Sequence, residues 1–332
     1  MVADGLVYYI SHSELATWKR CRRKWWLGWY RKLTPRMSDY TSVRASGTRV
    51  HNVLAAYYVP EEPPTQERVL AVHNSIIAAD CAAIEAENVA VDAEDMVADS
   101  RLAEFNKLVT TERAMIEGYL EWVTETGNDA EFEVISSETP MMTKLHTYRI
   151  HGMPIEVYTI GIIDVRVRRI LDNALAFVDH KTVQSLTQPL ATLRMNEQML
   201  HYMLLAQNGD HGTIGAYYNM LRRVKRTATA KPPFFDRVFI GHSQVEIATY
   251  RESLIGATGD ILTAGLLLSN NTGDEIRTVY PTPKPDCSWD CEFFSVCPLF
   301  NDGSHAEAML DARYVQRDPL DRYRNTRGTV TE

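Results

Sequence analysis

The stretch Gly161–Thr182, GIIDVRVRRILDNALAFVDHKT, constrains this chain more than any other. An apolar alternating run from Ile160 to Arg168 meets a second from Ala174 to Thr182. The turn between them contains Asp172-Asn173, which is the pattern of a β-hairpin. Asp164 interrupts the first run, while Asp179 and Lys181, two apart on the second, share one face. A Leu171-Asp172 loop would set Asp164 across from Asp179; an Asp172-Asn173 loop would set it across from Lys181. Either register gathers two carboxylates and an ammonium on one face. Two like charges about 4 Å apart repel by roughly 4 kcal/mol at an effective dielectric near ~20. Lys181 offsets part of that cost, and a divalent cation held by both carboxylates offsets more. Taken alone, the hairpin is explained equally well by a salt-bridged solvated face and by a metal site.

At 332 residues and 45% hydrophobic content the chain can bury a large core. No apolar run approaches transmembrane length, and the start, MVADGLVYYISHSEL, has neither a basic n-region nor a cleavage site. The expectation is a soluble, cytoplasmic protein. The formal net charge of −8 speaks against a nucleic-acid partner only until its distribution is read. Residues 1–60 carry ten Lys/Arg against three Asp/Glu, and residues 61–139 carry four against nineteen. Screening confines each patch to roughly 10 Å, so a basic face on an acidic protein can still meet phosphates.

Five segments are expected: a basic helical start (1–60), an acidic helical insertion (61–128), an α/β core (129–270), a cysteine segment (271–310) and a charged, poorly ordered tail (311–332). Ser11-His-Ser-Glu14 reads as a capping box opening a helix through Trp18, Cys21, Trp25 and Trp26. Its aromatics suit a core, and Arg20, Arg22 and Arg23 suit phosphates. A second helix is expected from Gly47 to about Tyr58, carrying His51, which local sequence alone does not mark as a ligand. After the breaker 60–64, the spacing over Thr65–Thr126 is helical with a solvated acidic face, and Cys81 reads as a small buried residue. Short strands follow at 132–135, 147–150 and 155–160, with Glu138 ending the first beside the hairpin cluster. A helix from Pro189 to Ala206 presents Arg194, Gln198 and Tyr202, the last two on one face. Strands at 212–221, ending in Arg222 and Arg223, and at 236–240, with a helix over 244–268, complete a mixed central β-sheet flanked by helices.

Cys287, Cys291 and Cys297, the last before Pro298, are one ligand short of a four-thiolate site. Zinc sites usually show paired C-x2-C ligands, whereas uneven spacing with a trailing Cys-Pro is more typical of iron–sulfur ligation. The fourth thiol is Cys21 or Cys81. Cys21 is preferred, because its basic-aromatic helix must dock somewhere and would tie the two ends together.

Taken together these stretches resemble the PD-(D/E)XK nuclease superfamily, and within it the RecB-like exonucleases with an iron–sulfur cluster, of AddB and Cas-four type. The resemblance covers Ile10 to Pro298 in the family's order: Ser11, Ser13, Leu15, Cys21 and Arg23; Gly47, Thr48 and His51; Gly161 and Asp164, with Arg166 one place beyond the usual arginine; Asp179, Lys181 and Thr182; Gln198 and Tyr202; then the three late cysteines. No proline precedes Asp164, His180 stands where members often carry Tyr, and the insertion 65–126 has no counterpart.

The resemblance implies a metal-dependent DNA exonuclease acting on single strands or duplex ends in recombination or repair. Mg²⁺ or Mn²⁺ would be held by His51, Asp164, Asp179 and the backbone carbonyl of His180. Lys181 would position and help deprotonate water, and Gln198 and Tyr202 would orient water or DNA. A [4Fe-4S] cluster on Cys21, Cys287, Cys291 and Cys297 would be structural. Arg20, Arg22, Arg23, Arg166, Arg194, Arg222 and Arg223 are the candidate DNA contacts, and a homo-oligomer or a recombination or CRISPR-type partner is expected. The competing reading is an iron–sulfur DNA-binding accessory protein with an inactive centre.

Overall fold

The computed structural model describes residues 6–90, 95–209, 212–270 and 275–324. Strand β1 (Val7–Ser11) runs into α1 (His12–Arg20), whose cap is Ser11: its Oγ accepts from Glu14 N at 3.2 Å. Only this half of the expected capping box forms. Glu14 turns inward instead, accepting from Tyr8 Oη at 2.5 Å and from Trp25 Nε1 at 2.9 Å. After α2 (Arg22–Trp25) and a single π-turn, β2 (Leu33–Pro35) leads to α3 (Val43–Ala55). α3 starts four residues before the expected Gly47, because Ser42 Oγ accepts from Ala45 N at 3.2 Å and nucleates the extra turn.

The acidic region forms α4 (Gln66–Ala90) and α5 (Asp95–Thr126). Its acids are not all solvated. Glu112 is buried against Arg49 of α3, accepting from its NH2 group at 2.7 Å, and Asp80 of α4 stands 3.2 Å from the same guanidinium. This three-helix ion cluster sets where α3 lies. α4 also corrects the hydropathy reading: Gln66–Val89 is long and apolar enough to cross a membrane by length and composition, with 17% of that window buried. Its valines and isoleucines supply most of that hydropathy, and one side packs on α3 and α5. Cys81 is half-buried rather than enclosed.

The expected short strands merge into two long ones, β3 (Phe132–Ile150) and β4 (Met153–Arg169), joined at His151-Gly152, both with positive φ. β5 (Leu175–Val183) completes the hairpin. The expected helix over 189–206 is divided into α6 (Thr187–Leu190) and α7 (Glu197–Gly209). The break is set by Asn196, whose Oδ1 caps α7 by accepting from Gln198 N at 2.9 Å. β6 (Thr213–Arg222), β7 (Phe235–Gly241) and α8 (Gln244–Ser269) follow. Short helices α9 (Glu275–Thr278), α10 (Cys287–Asp290) and α11 (Leu299–Asp302) lead to α12 (Ala306–Arg313), β8 (Tyr314–Gln316) and α13 (Asp321–Arg324). Residues 311–324 of the expected poorly ordered tail are ordered, and the remainder of that expectation lies outside the described residues: β8 pairs antiparallel with β2, and Lys32 Nζ grips Asp318 at 2.7 Å.

The sheet order is β1-β4-β5-β6-β7, with β3 on the other edge of β4. β1–β4 and β5–β6 are parallel and the rest antiparallel, so the sheet is mixed. Alternation along β5 and β6 feeds two apolar layers. Phe177, Ala216, Tyr218 and Met220 pack toward α1, α7 and α8, while Ala176, Val178, Tyr217 and Leu221 pack toward α3 and α5. A helical layer thus covers each face.

Glu14 offers a test of the N-terminal packing. Burial pushes its carboxyl up to about 7, although the bonds from Tyr8 and Trp25 pull the other way. A raised folded-state pKa favours the protonated form, so the stability Glu14 contributes is complete below about pH 4.5 and lost as pH rises through about 7. Glu14→Gln is expected to remove about 3 kcal/mol of that pH dependence between pH ~5 and ~8.5, read from urea unfolding at each pH.

Candidate active site

The β4–β5 ladder ends at Val165–Val178, while the β5–β6 ladder runs on to Val183–Arg222. β5 therefore leaves β4 at Asp179. On the same edge of β4, β1 stops at Ser11 opposite Ile160. A gap from Gly161 to Asp164 opens between β1 and β5, and the charged residues gather there. The register is that of the Leu171-Asp172 loop, with Asp164 in line with Asp179. Backbone N–H of His180, freed from the ladder, donates to Asp164 Oδ2 at 2.8 Å.

Asp179 and Lys181 share the face toward α7, and Lys181 Nζ donates to Asp179 Oδ1 at 2.9 Å. Asp179 Oδ2 has that ammonium at 2.8 Å yet makes no hydrogen bond of its own, and Asp179 is 1% exposed. From α3, His51 Nδ1 approaches Asp164 Oδ2 to 3.0 Å. Gly47, one turn earlier on that helix, would place a Cβ 3.3 Å from Thr182 Oγ1, so its hydrogen lets α3 close on β5. From α7, Gln198 Nε2 donates to Tyr202 Oη at 2.9 Å. Gly161 admits that helix: a Cβ there would lie 2.6 Å from Leu205 Cδ1 and 3.2 Å from Tyr202 Cε1. From β3, Glu138 falls opposite Asp164, between the pairs Ser137–Val165 and Thr139–Ile163, with φ of +46°. A non-glycine residue held left-handed inside a strand is strained, and here it aims a carboxyl at the cluster.

The electrostatics reflect crowding. Burial works against the Asp164 carboxylate, but His51 and Lys181 overcome it and hold this group below the usual carboxylate range. Burial pushes Asp179 up to about 6, with the Asp164 charge adding and Lys181 opposing. Glu138 is pushed up to about 7 by burial and then by Asp164. Burial disfavours charge on Lys181 and His51 too, yet the carboxylates raise both, so Lys181 is an ammonium. His180 points the other way. Its ring Nδ1 meets Asn219 Nδ2 at 2.8 Å and stacks on Tyr58, in a buried network with Tyr119 and Arg237, and burial lowers it to about 3. Its ring is held in that network, 6.1 Å from the His51 ring between centroids, so its part in any cation site would be through the backbone.

These groups floor a cleft of about 440 Å³, also lined by Ser13, Thr17, Lys24, Arg44, Arg322 and Tyr323. None of the seven arginines expected to meet DNA lines it. Arg20 pairs with Asp286 at 3.1 Å and with Asp290. Arg23 is buried, donating to Cys297 O at 3.1 Å and Asn301 Oδ1 at 2.9 Å. Arg22 lies over the Trp18 and Tyr280 rings, Arg166 is half-buried on β4, and Arg194 is 82% exposed beside Glu246. Arg222 donates to Lys231 O, and Arg223 is half-buried. Arg44 was legible in principle. It precedes His51 by seven residues, two turns of one helix, but lies ahead of the expected helix start at Gly47.

The two ends of the chain do meet. Beyond Arg20, Lys24 Nζ pairs with Glu292 at 2.7 Å and the Phe293 ring packs over Gly28. Cys21 Sγ accepts from Thr282 N at 3.4 Å and Cys287 Sγ from Lys284 N at 3.3 Å. Burial raises Cys291 to about 11, and Cys21 adds to that rise; Cys297 is raised first by burial and also by Cys21 and Cys287. The four thiols thus share one region. Among the described residues, however, no three His, Cys, Asp or Glu side chains stand at a spacing that could hold a metal ion, here or in the cleft.

Gly161→Ala is expected to force α7 off β4, costing about 1–3 kcal/mol of stability, with a matching fall in the urea midpoint. A search of curated proteins finds no match. The family model of the PD-(D/E)XK nuclease superfamily matches residues 9–298, which spans β1 to the last cysteine and takes in every residue of the fork. With the mixed sheet, its helical flanks and the Asp164, Asp179 and Lys181 cluster, the chain belongs to the PD-(D/E)XK nuclease superfamily.

Proposed function

We propose that this protein is a divalent-metal-dependent deoxyribonuclease of exonuclease type, acting on single strands or duplex ends in DNA recombination or repair. The observation that carries the reading is the fork at Asp164 and Asp179. Two buried carboxylates in line, one with an orphaned oxygen, are backed by an imidazole and an ammonium. Oxygen donors with one imidazole suit Mg²⁺ or Mn²⁺, so the chemistry of the donor set fits. Asp164, Asp179, His51 and the carbonyl of His180 would hold the ion, and to do so the three side chains would have to draw closer than they stand here. When bound, it would lower the pKa of water and neutralise charge building on the phosphate.

The chain's own groups do the rest. The ammonium of Lys181 donates to water or to a phosphate oxygen; to act as a base it would first have to release its proton. Gln198 and Tyr202, tied to each other, face the same cleft and orient what binds there. Glu138, with a carboxyl near neutrality in its acidity, is a further proton carrier at the rim. The four gathered thiols, with backbone N–H groups already donating to two of them, support a structural [4Fe-4S] cluster joining α1–α2 to the C-terminal segment.

Asp179→Asn and Lys181→Ala should each lower Mn²⁺-dependent cleavage of end-labelled DNA by ~10²–10³-fold. Undiminished cleavage by either variant would remove the assignment. Protein purified without oxygen should be brown, absorb near ~400 nm, and lose that band in Cys291→Ser. A colourless protein containing no iron would refute the cluster while leaving the nuclease reading intact.

A further inference from the structure

The segment after Cys297 lies outside the residues that the family model matches, yet it enters the active site. Its path is fixed at three points. β8 forms a ladder with β2, pairing Leu33 with Gln316 and Pro35 with Tyr314. Arg317 N donates to Lys32 O at 2.7 Å, and Lys32 Nζ holds Asp318 at 2.7 Å. Upstream, Tyr314 is buried, stacks on Phe293 and donates to Glu292 O at 2.7 Å. From this anchorage α13 packs on β4 and sets Arg322 and Tyr323 into the wall of the cleft that holds Asp164 and Lys181.

The charge balance of that cleft gives Arg322 a task. Its walls and floor carry Glu138, Asp164 and Glu292, with Asp179 just beneath, so an incoming phosphodiester meets an acidic surface. Two of the cations there are already matched: Lys181 by Asp179 and Lys24 by Glu292 at 2.7 Å. Among the described residues Arg44 and Arg322 make no ion pair, and both are exposed. Arg322 lies over the Tyr323 ring, 5.2 Å from its centroid, which holds the guanidinium in place without neutralising it. Its field reaches Glu138, opposite Asp164. A guanidinium so held, unmatched and facing the reacting groups, suits bidentate contact with a phosphate.

We infer that the C-terminal strap Tyr314–Arg324 is part of the substrate site, with Arg322 from α13 and Arg44 from α3 gripping the phosphate backbone of the bound strand. The inference rests on the nuclease reading and adds to it a substrate-binding residue from outside the matched core. The strap is a contact, not a plug: its cation is the feature the acidic cleft lacks.

The test is binding of a fluorescent oligothymidylate to full-length protein carrying Asp179→Asn, over a series of salt concentrations without divalent metal. Arg322→Ala should raise Kd several-fold and reduce the slope of log K against log salt by about 0.7, the signature of one lost contact to a single strand. Arg322→Lys should restore most of that slope, which a purely structural role would not produce. The Arg44→Ala, Arg322→Ala double variant should lose about 1.4 of slope. An unchanged Kd and slope in Arg322→Ala would overturn the inference, and so would tighter binding, which would make the strap an obstruction. Failure of the parent protein to bind either this oligonucleotide or a duplex with free ends would overturn the nuclease reading itself.

Discussion

The structure depends on the parting of β5 from β4 at Asp179. Up to Val165–Val178 the two strands share a ladder; beyond it β5 follows β6 instead. Parting frees backbone groups that must find partners, and the His180 N–H finds the Asp164 carboxylate. The same parting opens room on the edge of β4 that no strand fills. Two buried carboxylates in line would be intolerable inside a continuous sheet. At a fork they can be met by His51 on α3, Lys181 on β5 and the freed His180 N–H.

The approach of those helices is arranged by small features with large consequences. Gly47 and Gly161 have no Cβ where Thr182 and Leu205 press in. Arg49, one turn before Val53 and beside Val50 in the core, anchors α3 through Glu112 and so fixes the helix that sets His51 3.0 Å from Asp164. Behind the fork, the His180 ring is fastened by Asn219, whose own amide oxygen accepts from Arg237 Nε at 3.1 Å. Alternation along β5 makes this possible: the residue between two reactive neighbours faces the opposite layer and can serve as their fixing point.

Much of this was legible in the residues. Period-two alternation marks β5 and β6, the hairpin register is one of two choices, and Asp164, Lys181, His51, Gln198 and Tyr202 line one cleft with Asp179 just beneath. What was not legible was decided at long range or by caps. Ser42 lengthened α3 and brought Arg44 to the rim; Asn196 cut one expected helix in two. Over residues 132–169 bulges break the alternation, so the sequence signals only short strands, whereas the ladder runs through them. Arg20 and Lys24 have no local partner in the sequence, because the acids of the cysteine segment that engage them lie more than 260 residues away. The tail gave no local signal at all, since its order comes from β2.

The proposed nuclease requires Asp164 and Asp179 to form a site for a divalent cation. The most direct measurement is calorimetric titration of Mn²⁺ into the wild-type protein and into Asp164→Asn. A saturable heat is expected in the wild type that is lost, or weakened ~10-fold or more, in the variant. Equal heats and equal affinities in the two proteins, or no binding in the wild type, would contradict it.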